Sequence, residues 1–141
     1  MKPSIYLTAI LCSLTLVPAW PAVRADDLAA LKGDWSVKKK NEEGQSYTQT
    51  LQIDGNKFVF KIVGETGALV LIAKGNVEVK KQGPFQTARF YDIKGGSSEP
   101  TDDVDDRVVV YLLDGNTWTI GSNFDKDRSD DRPRVDEYKR K

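Results

Sequence analysis

The sequence predicts an all-β protein: a small antiparallel up-and-down barrel of about eight strands, preceded by a short helical turn. Three observations predict it. Short runs of alternating apolar and polar residues recur from Trp35 to Lys139. Tight-turn residues separate the runs, most clearly at Asp54-Gly55-Asn56 and Asp114-Gly115-Asn116. No helical crossover fits between successive runs, so neighbours in sequence are expected to pair as neighbours in space.

The first 25 residues read as an export signal. Lys2 gives a positive start, Ile5 to Val17 form an apolar run, Pro18 breaks it, and Val23-Arg24-Ala25 offers small residues for cleavage after Ala25. The run is shorter than the about 20 apolar residues of a membrane span. Cys12 lies inside this run and is read as part of the signal. The domain then covers residues 26–141 and is expected in the periplasm or outside the cell.

The elements follow in order. Asp26 and Asp27 can cap a turn of helix through Lys32, with Gly33 as its C-terminal glycine and the turn lying across one barrel end as a lid. Trp35 and Val37 alternate with polar residues as far as Lys40. Asn41 to Gly44 turn the chain, and Tyr47, Gln49, Leu51 and Ile53 share one face of the next strand. After Asp54-Gly55-Asn56, the residues Phe58, Phe60 and Ile62 face inward and Lys57 and Lys61 outward. Gly64 to Gly67 close that pair. Ala68 to Ala73 is apolar on both faces, and periodicity leaves a doubly covered strand and a weak helix open.

Gly75-Asn76 marks a turn or bend, Val77 and Val79 a short strand, and Gly83-Pro84 its end. Phe85 to Ile93 is β-rich, but the adjacent Phe90 and Tyr91 must face opposite ways unless a bulge intervenes. Gly95 to Asp106 reads as one long acidic loop. Val108 to Leu112 and Thr117 to Ile120 flank the second Asp-Gly-Asn turn. A polar loop from Asn123 to Arg132 leads to a last strand near Arg134 to Lys139.

Composition narrows the function. The chain carries 21 basic and 21 acidic residues and no histidine. Without the signal it is close to neutral, which gives no electrostatic basis for binding nucleic acid or an anionic membrane. Beyond residue 25 it contains no Cys, His or Met. Disulfides, thiol or imidazole catalysis, His-ligated zinc and the common haem ligands are therefore excluded there. Glu42, Glu43, Glu65, Glu78 and Glu99 fall in turns or on exposed faces, so a carboxylate-pair hydrolase finds little support and no enzyme activity is expected. No cofactor is expected, and the domain is read as a monomer.

Leu31-Lys32-Gly33-Asp34-Trp35, Ile53-Asp54-Gly55-Asn56-Lys57-Phe58, Tyr111-Leu112-Leu113-Asp114-Gly115-Asn116 and Arg132-Pro133-Arg134 occur in that order. The chain thereby resembles the small bacterial secreted lipocalin-like domains with a Gly-x-Trp start, a largely uncharacterised family. The resemblance spans essentially all of residues 26–141 and implies fold and export, not an activity. It implies that Trp35 plugs the closed end of the barrel under an arginine from the last strand, with Arg134 the first candidate and Arg132 the second. The acidic stretch Asp102 to Asp106 is longer than the family pattern suggests.

The function expected is that of an exported, non-enzymatic binding protein for a small apolar ligand. Its candidate lining residues are Trp35, Tyr47, Leu51, Phe58, Phe60, Tyr91, Val110 and Trp118, with Tyr111 a further polar anchor. Short strands and large aromatics nevertheless favour a filled interior. The alternative is a protein-interaction or inhibitor module acting through its acidic loops around a filled core. Asp125, Asp127, Ser129, Asp131 and Asp136 fall at calcium-loop positions, but Asp130 replaces the required glycine and Lys126, Arg128 and Arg132 neutralise the charge, so no metal site is assigned.

Overall fold

A computed structural model describes residues 25–124 and 132–141. The expected export segment and the calcium-like loop, save Ala25 and Asp136, lie outside the described residues. The chain forms α1 (Ala25–Leu31), β1 (Gly33–Lys40), β2 (Ser46–Asp54), β3 (Lys57–Gly64), β4 (Leu69–Gln82), β5 (Phe85–Gly96), β6 (Asp102–Val104), β7 (Arg107–Asp114), β8 (Thr117–Ser122) and β9 (Arg134–Arg140). Every pairing is antiparallel, and each strand from β1 to β5 pairs with its neighbour in sequence. β5 pairs with both β6 and β7, β7 with β8, and β8 with β9. β9 returns to β1 through Trp35↔Arg140 and Ser36↔Lys139, which closes an eight-stranded up-and-down barrel. Among the described residues no helix is long and apolar enough to cross a membrane.

Two segments differ from the sequence reading. The apolar stretch Ala68 to Ala73 leads into β4 as a strand and not a helix, with Ile72 buried and Leu69 and Val70 exposed. Gly95 to Asp106 is not one loop. Gly95 and Gly96 complete β5, and β6 pairs with it at Ile93↔Val104, Lys94↔Asp103 and Gly95↔Asp102. Cross-strand pairing overrides the loop-like composition, and Lys94 and Asp103 face each other across it as an ion pair 2.5 Å apart.

β4 and β5 continue beyond Asn76↔Tyr91 as a long hairpin to Gln82↔Phe85. The ladder slips between Lys74 and Asn76, and Asp92 takes a positive φ of 51°. This bulge puts Phe90 and Ile93 inside and turns Tyr91 out beneath the Arg89 guanidinium. Glycine is required at the bend. A Cβ on Gly75 would lie 2.8 Å from the Tyr91 carbonyl oxygen and 2.9 Å from the Phe58 ring.

The core fills one end of the barrel. Trp35 and Trp118 are fully buried and meet edge to face, their ring centroids 5.4 Å apart. Tyr111 packs on Trp118 at 6.0 Å, and Leu31 seals the end from α1. The Trp35 indole donates to the Leu31 carbonyl at 2.8 Å, which satisfies a carbonyl in the last turn of α1. The arginine over Trp35 is Arg140, with its guanidinium carbon 4.2 Å from the ring centroid. Arg140 also donates to the carbonyls of Ala30 and Lys32. Arg134 sits six residues away along β9, about 20 Å at strand rise, opposite Ser122 near the other end. The backbone explains the glycine of Gly33-x-Trp35, since its positive φ is one that L side chains rarely adopt. Gly33 has φ +130°, and a Cβ there would lie 2.8 Å from Arg140 Nη1.

Candidate functional site

The opposite end is hollow. Its cavity measures about 1050 Å³ and opens between the β1–β2 and β3–β4 turns, the β5–β6 turn and the start of β9. Leu51, Phe58, Phe60, Ile62, Leu71 and Ala73 form one wall from β2, β3 and β4. Phe90, Ile93, Val104, Val109 and Ile120 continue it. Phe58 and Phe90 meet edge to face 4.9 Å apart. These contributions follow from strand alternation, since every second residue of β2, β3, β7 and β8 points inward.

Of the lining residues expected from sequence, Tyr47, Leu51, Phe58 and Phe60 stand in this wall. The other four do not. Trp35 and Trp118 belong to the filled end. Tyr91 is displaced outward by the bulge at Asp92. Val110 points outward opposite Gly121, because β7 places Val109 and Tyr111 inside. Tyr111 is likewise buried at the closed end, where burial and then Asp27 push its phenol up to about 12. The inward faces of β4 and β5 were not singled out as lining by sequence. The signal for them existed in Leu71 and Ala73, but the doubly apolar run hid its phase.

Two polar groups of the cavity are buried, one on β2 and one on β9. Gln49 and Tyr138 are buried, and the Tyr138 hydroxyl donates to Gln49 Oε1 at 2.9 Å. Burial, followed by Asp136, raises the Tyr138 phenol well above its ordinary value. Asp136 is paired with Lys39 from β1 and lies 3.6 Å from Arg134 Nε. Among the described residues, β1 and β9 pair through backbone only near the closed end, so Lys39–Asp136 bridges them by side chains toward the mouth, while Tyr138–Gln49 reaches past β1 to join β9 to β2. Tyr138 and Gln49 are 89 residues apart in sequence, and only barrel closure brings them together.

The acidic cluster is mostly engaged elsewhere. Asp103 pairs with Lys94, and Asp106 pairs with Arg89. Arg89 also holds Glu78 below the usual carboxylate range, assisted by Lys80. Among the described residues no three His, Cys, Asp or Glu side chains converge as metal ligands. Asp136 is held by Lys39 and Arg134, and its proposed calcium partners lie outside the described residues. Compared with protein-family models, curated proteins and solved structures, the chain matches none.

Proposed function

We propose that the chain is an exported, non-enzymatic, lipocalin-like binding protein whose ligand is a small molecule with a substantial apolar part. The carrying observation is the cavity of about 1050 Å³ with a continuous wall of aliphatic and aromatic side chains. Pockets of roughly 300–1,000 Å³ with such walls and a few polar groups suit small organic ligands. The barrel supplies what a carrier needs: a rigid, plugged base and an open mouth. The apolar N-terminal segment supports export, and cleavage after Ala25 leaves the rest of α1 to plug the base.

The test uses N-phenylnaphthylamine, a neutral fluorophore that brightens in apolar surroundings. Titration into the purified protein is expected to give saturable brightening. Ala73→Phe, which grows a ring into the cavity, is expected to abolish it while leaving the circular dichroism of the barrel unchanged. A bound ligand at 100-fold its Kd adds about 2.7 kcal/mol of stability, so the probe also raises Tm in the wild type and not in the variant. Absence of binding, or equal binding by Ala73→Phe, overturns the reading.

A further inference from the structure

The cavity wall holds one donor group that the barrel orients and leaves unused. Among the polar side chains that line it, Gln49 and Tyr138 are buried, and the others are half-buried or exposed. Gln49 stands midway along β2, level with Val37 on β1 and Ile62 on β3, and Leu51 is the next inward residue toward the closed end. Its amide is therefore set among apolar side chains and not at the exposed rim. Tyr138 reaches it from β9, and the hydroxyl donates to Oε1 at 2.9 Å. A carboxamide has one acceptor oxygen and two N–H donors. With the oxygen engaged, the donors at Nε2 remain, and among the described residues the side chain makes no other hydrogen bond. Nor is that nitrogen sealed in the packing: among the described residues Trp118 Nε1 is the one fully buried side-chain polar atom without a partner. Gln49 Nε2 thus touches open space, and for an inward residue of the wall that space is the cavity.

A hydrocarbon packed against this wall would leave the amide N–H groups dry, at the cost of a buried donor without an acceptor. A carbonyl oxygen would accept from them and replace water bond for bond. An ionised head is a poorer fit, because the pair supplies no charge to meet it and burial of an unpaired charge costs far more than burial of a neutral group. Resting on the carrier reading above, we infer that the ligand is a neutral, largely apolar molecule with a carbonyl-type oxygen, to which Gln49 donates inside the cavity. Its apolar body lies against Phe60 and Ile62. Tyr138 is a positioning residue: its bond to Oε1 fixes which end of the amide faces the ligand.

The experiment uses three tricyclic compounds of one shape as competitors of bound N-phenylnaphthylamine. Fluorenone carries a carbonyl, fluorene a methylene and carbazole an N–H at the same position. Gln49→Met with Tyr138→Phe removes both polar partners together, so neither is left buried alone. From wild type to this variant, the affinity of fluorenone relative to fluorene is expected to fall roughly five-fold or more, and that of carbazole relative to fluorene is expected not to fall. Tyr138→Phe alone is expected to lower the fluorenone ratio and raise the carbazole ratio, because the freed amide can turn Oε1 to the ligand. The infrared carbonyl stretch of fluorenone bound to the wild type is expected below its value in hexane, which reads the hydrogen bond without any substitution. An unchanged fluorenone ratio in the double variant, or a bound stretch at the hexane value, overturns the Gln49 contact and leaves the carrier reading standing. A carbazole ratio that falls as far as the fluorenone ratio overturns the choice of an acceptor oxygen. Both ratios unchanged in Tyr138→Phe overturn its positioning role. Failure of the protein to bind the neutral probe overturns the carrier reading and this inference together.

Discussion

The closed and open halves of the barrel interior are built from the same alternation of inward positions, and they end differently because of what stands at those positions. Near the closed-end turns the inward residues are Trp35, Tyr111 and Trp118, and α1 adds Leu31. Near the mouth they include Ala73, Gly95 and Ser122, which leave the space unfilled. The ring of strands is common to both halves, so strand pairing determines the container and side-chain volume determines where it is occupied. Packed core and open space are thereby assigned to different ends of one continuous sheet.

The largest expected effect tests this division directly. Trp35→Ala removes a fully buried indole, its bond to Leu31 and the platform beneath Arg140. Removal of a core aromatic costs about 3–5 kcal/mol, a large part of the stability of a domain this size. Phe60→Ala removes a ring that already borders open space, so it creates little new cavity and costs about 1 kcal/mol or less on the same reasoning. Urea denaturation followed by circular dichroism measures both. Equal losses would show that the mouth half is as important to stability as the plugged half.

The next test concerns the buried bond that joins β9 to β2. Tyr138→Phe leaves the buried Gln49 without its donor, at a cost of about 1–2 kcal/mol at neutral pH. The same phenol and that of Tyr111 give the protein an alkaline limit. Burial raises the pKa of Tyr138, and that of Tyr111 rises to about 12, whereas in the unfolded chain both titrate near about 10. Above pH ~10 the unfolded state sheds protons that the folded state retains. Stability is therefore complete below pH ~10 and falls as pH rises through the folded values. Thermal melts from pH 9 to about 12 are expected to show this decline, and Tyr111→Phe is expected to make it shallower.

The barrel itself was legible because period-two alternation and Asp-Gly-Asn turns are local signals, and both hairpins form where those turns stand. Which face points inward was less legible. Val108-Val109-Val110 has no polar member to set its phase, so Val110 was placed in the lining that Val109 occupies. Tyr91 was misplaced because an αL residue at Asp92 shifts the alternation by one, and aspartate there carries no unmistakable mark. The covering arginine was recoverable from topology. In a meander that begins at the closed end and has an even number of barrel strands, the last strand finishes there too. Its C-terminal Arg140, not Arg134, then lies beside Trp35. The hollow was the least legible feature, since it depends on the heights at which large and small inward residues stack.

The smallest expected effect lies outside the interior altogether. Lys94 and Asp103 join β5 to the acidic β6 on the outer surface of the mouth half, with their side chains half or more exposed. Such pairs contribute about 0.2–1 kcal/mol, diminishing with salt. Lys94→Ala with Asp103→Ala is thus expected to lower stability by about 0.5 kcal/mol or less and to leave probe affinity unchanged, because neither side chain borders the cavity. A loss of affinity in this variant would mean that the short β6 pairing holds Val104 in the cavity wall. The mouth would then depend on its outer charges as the base depends on its tryptophans.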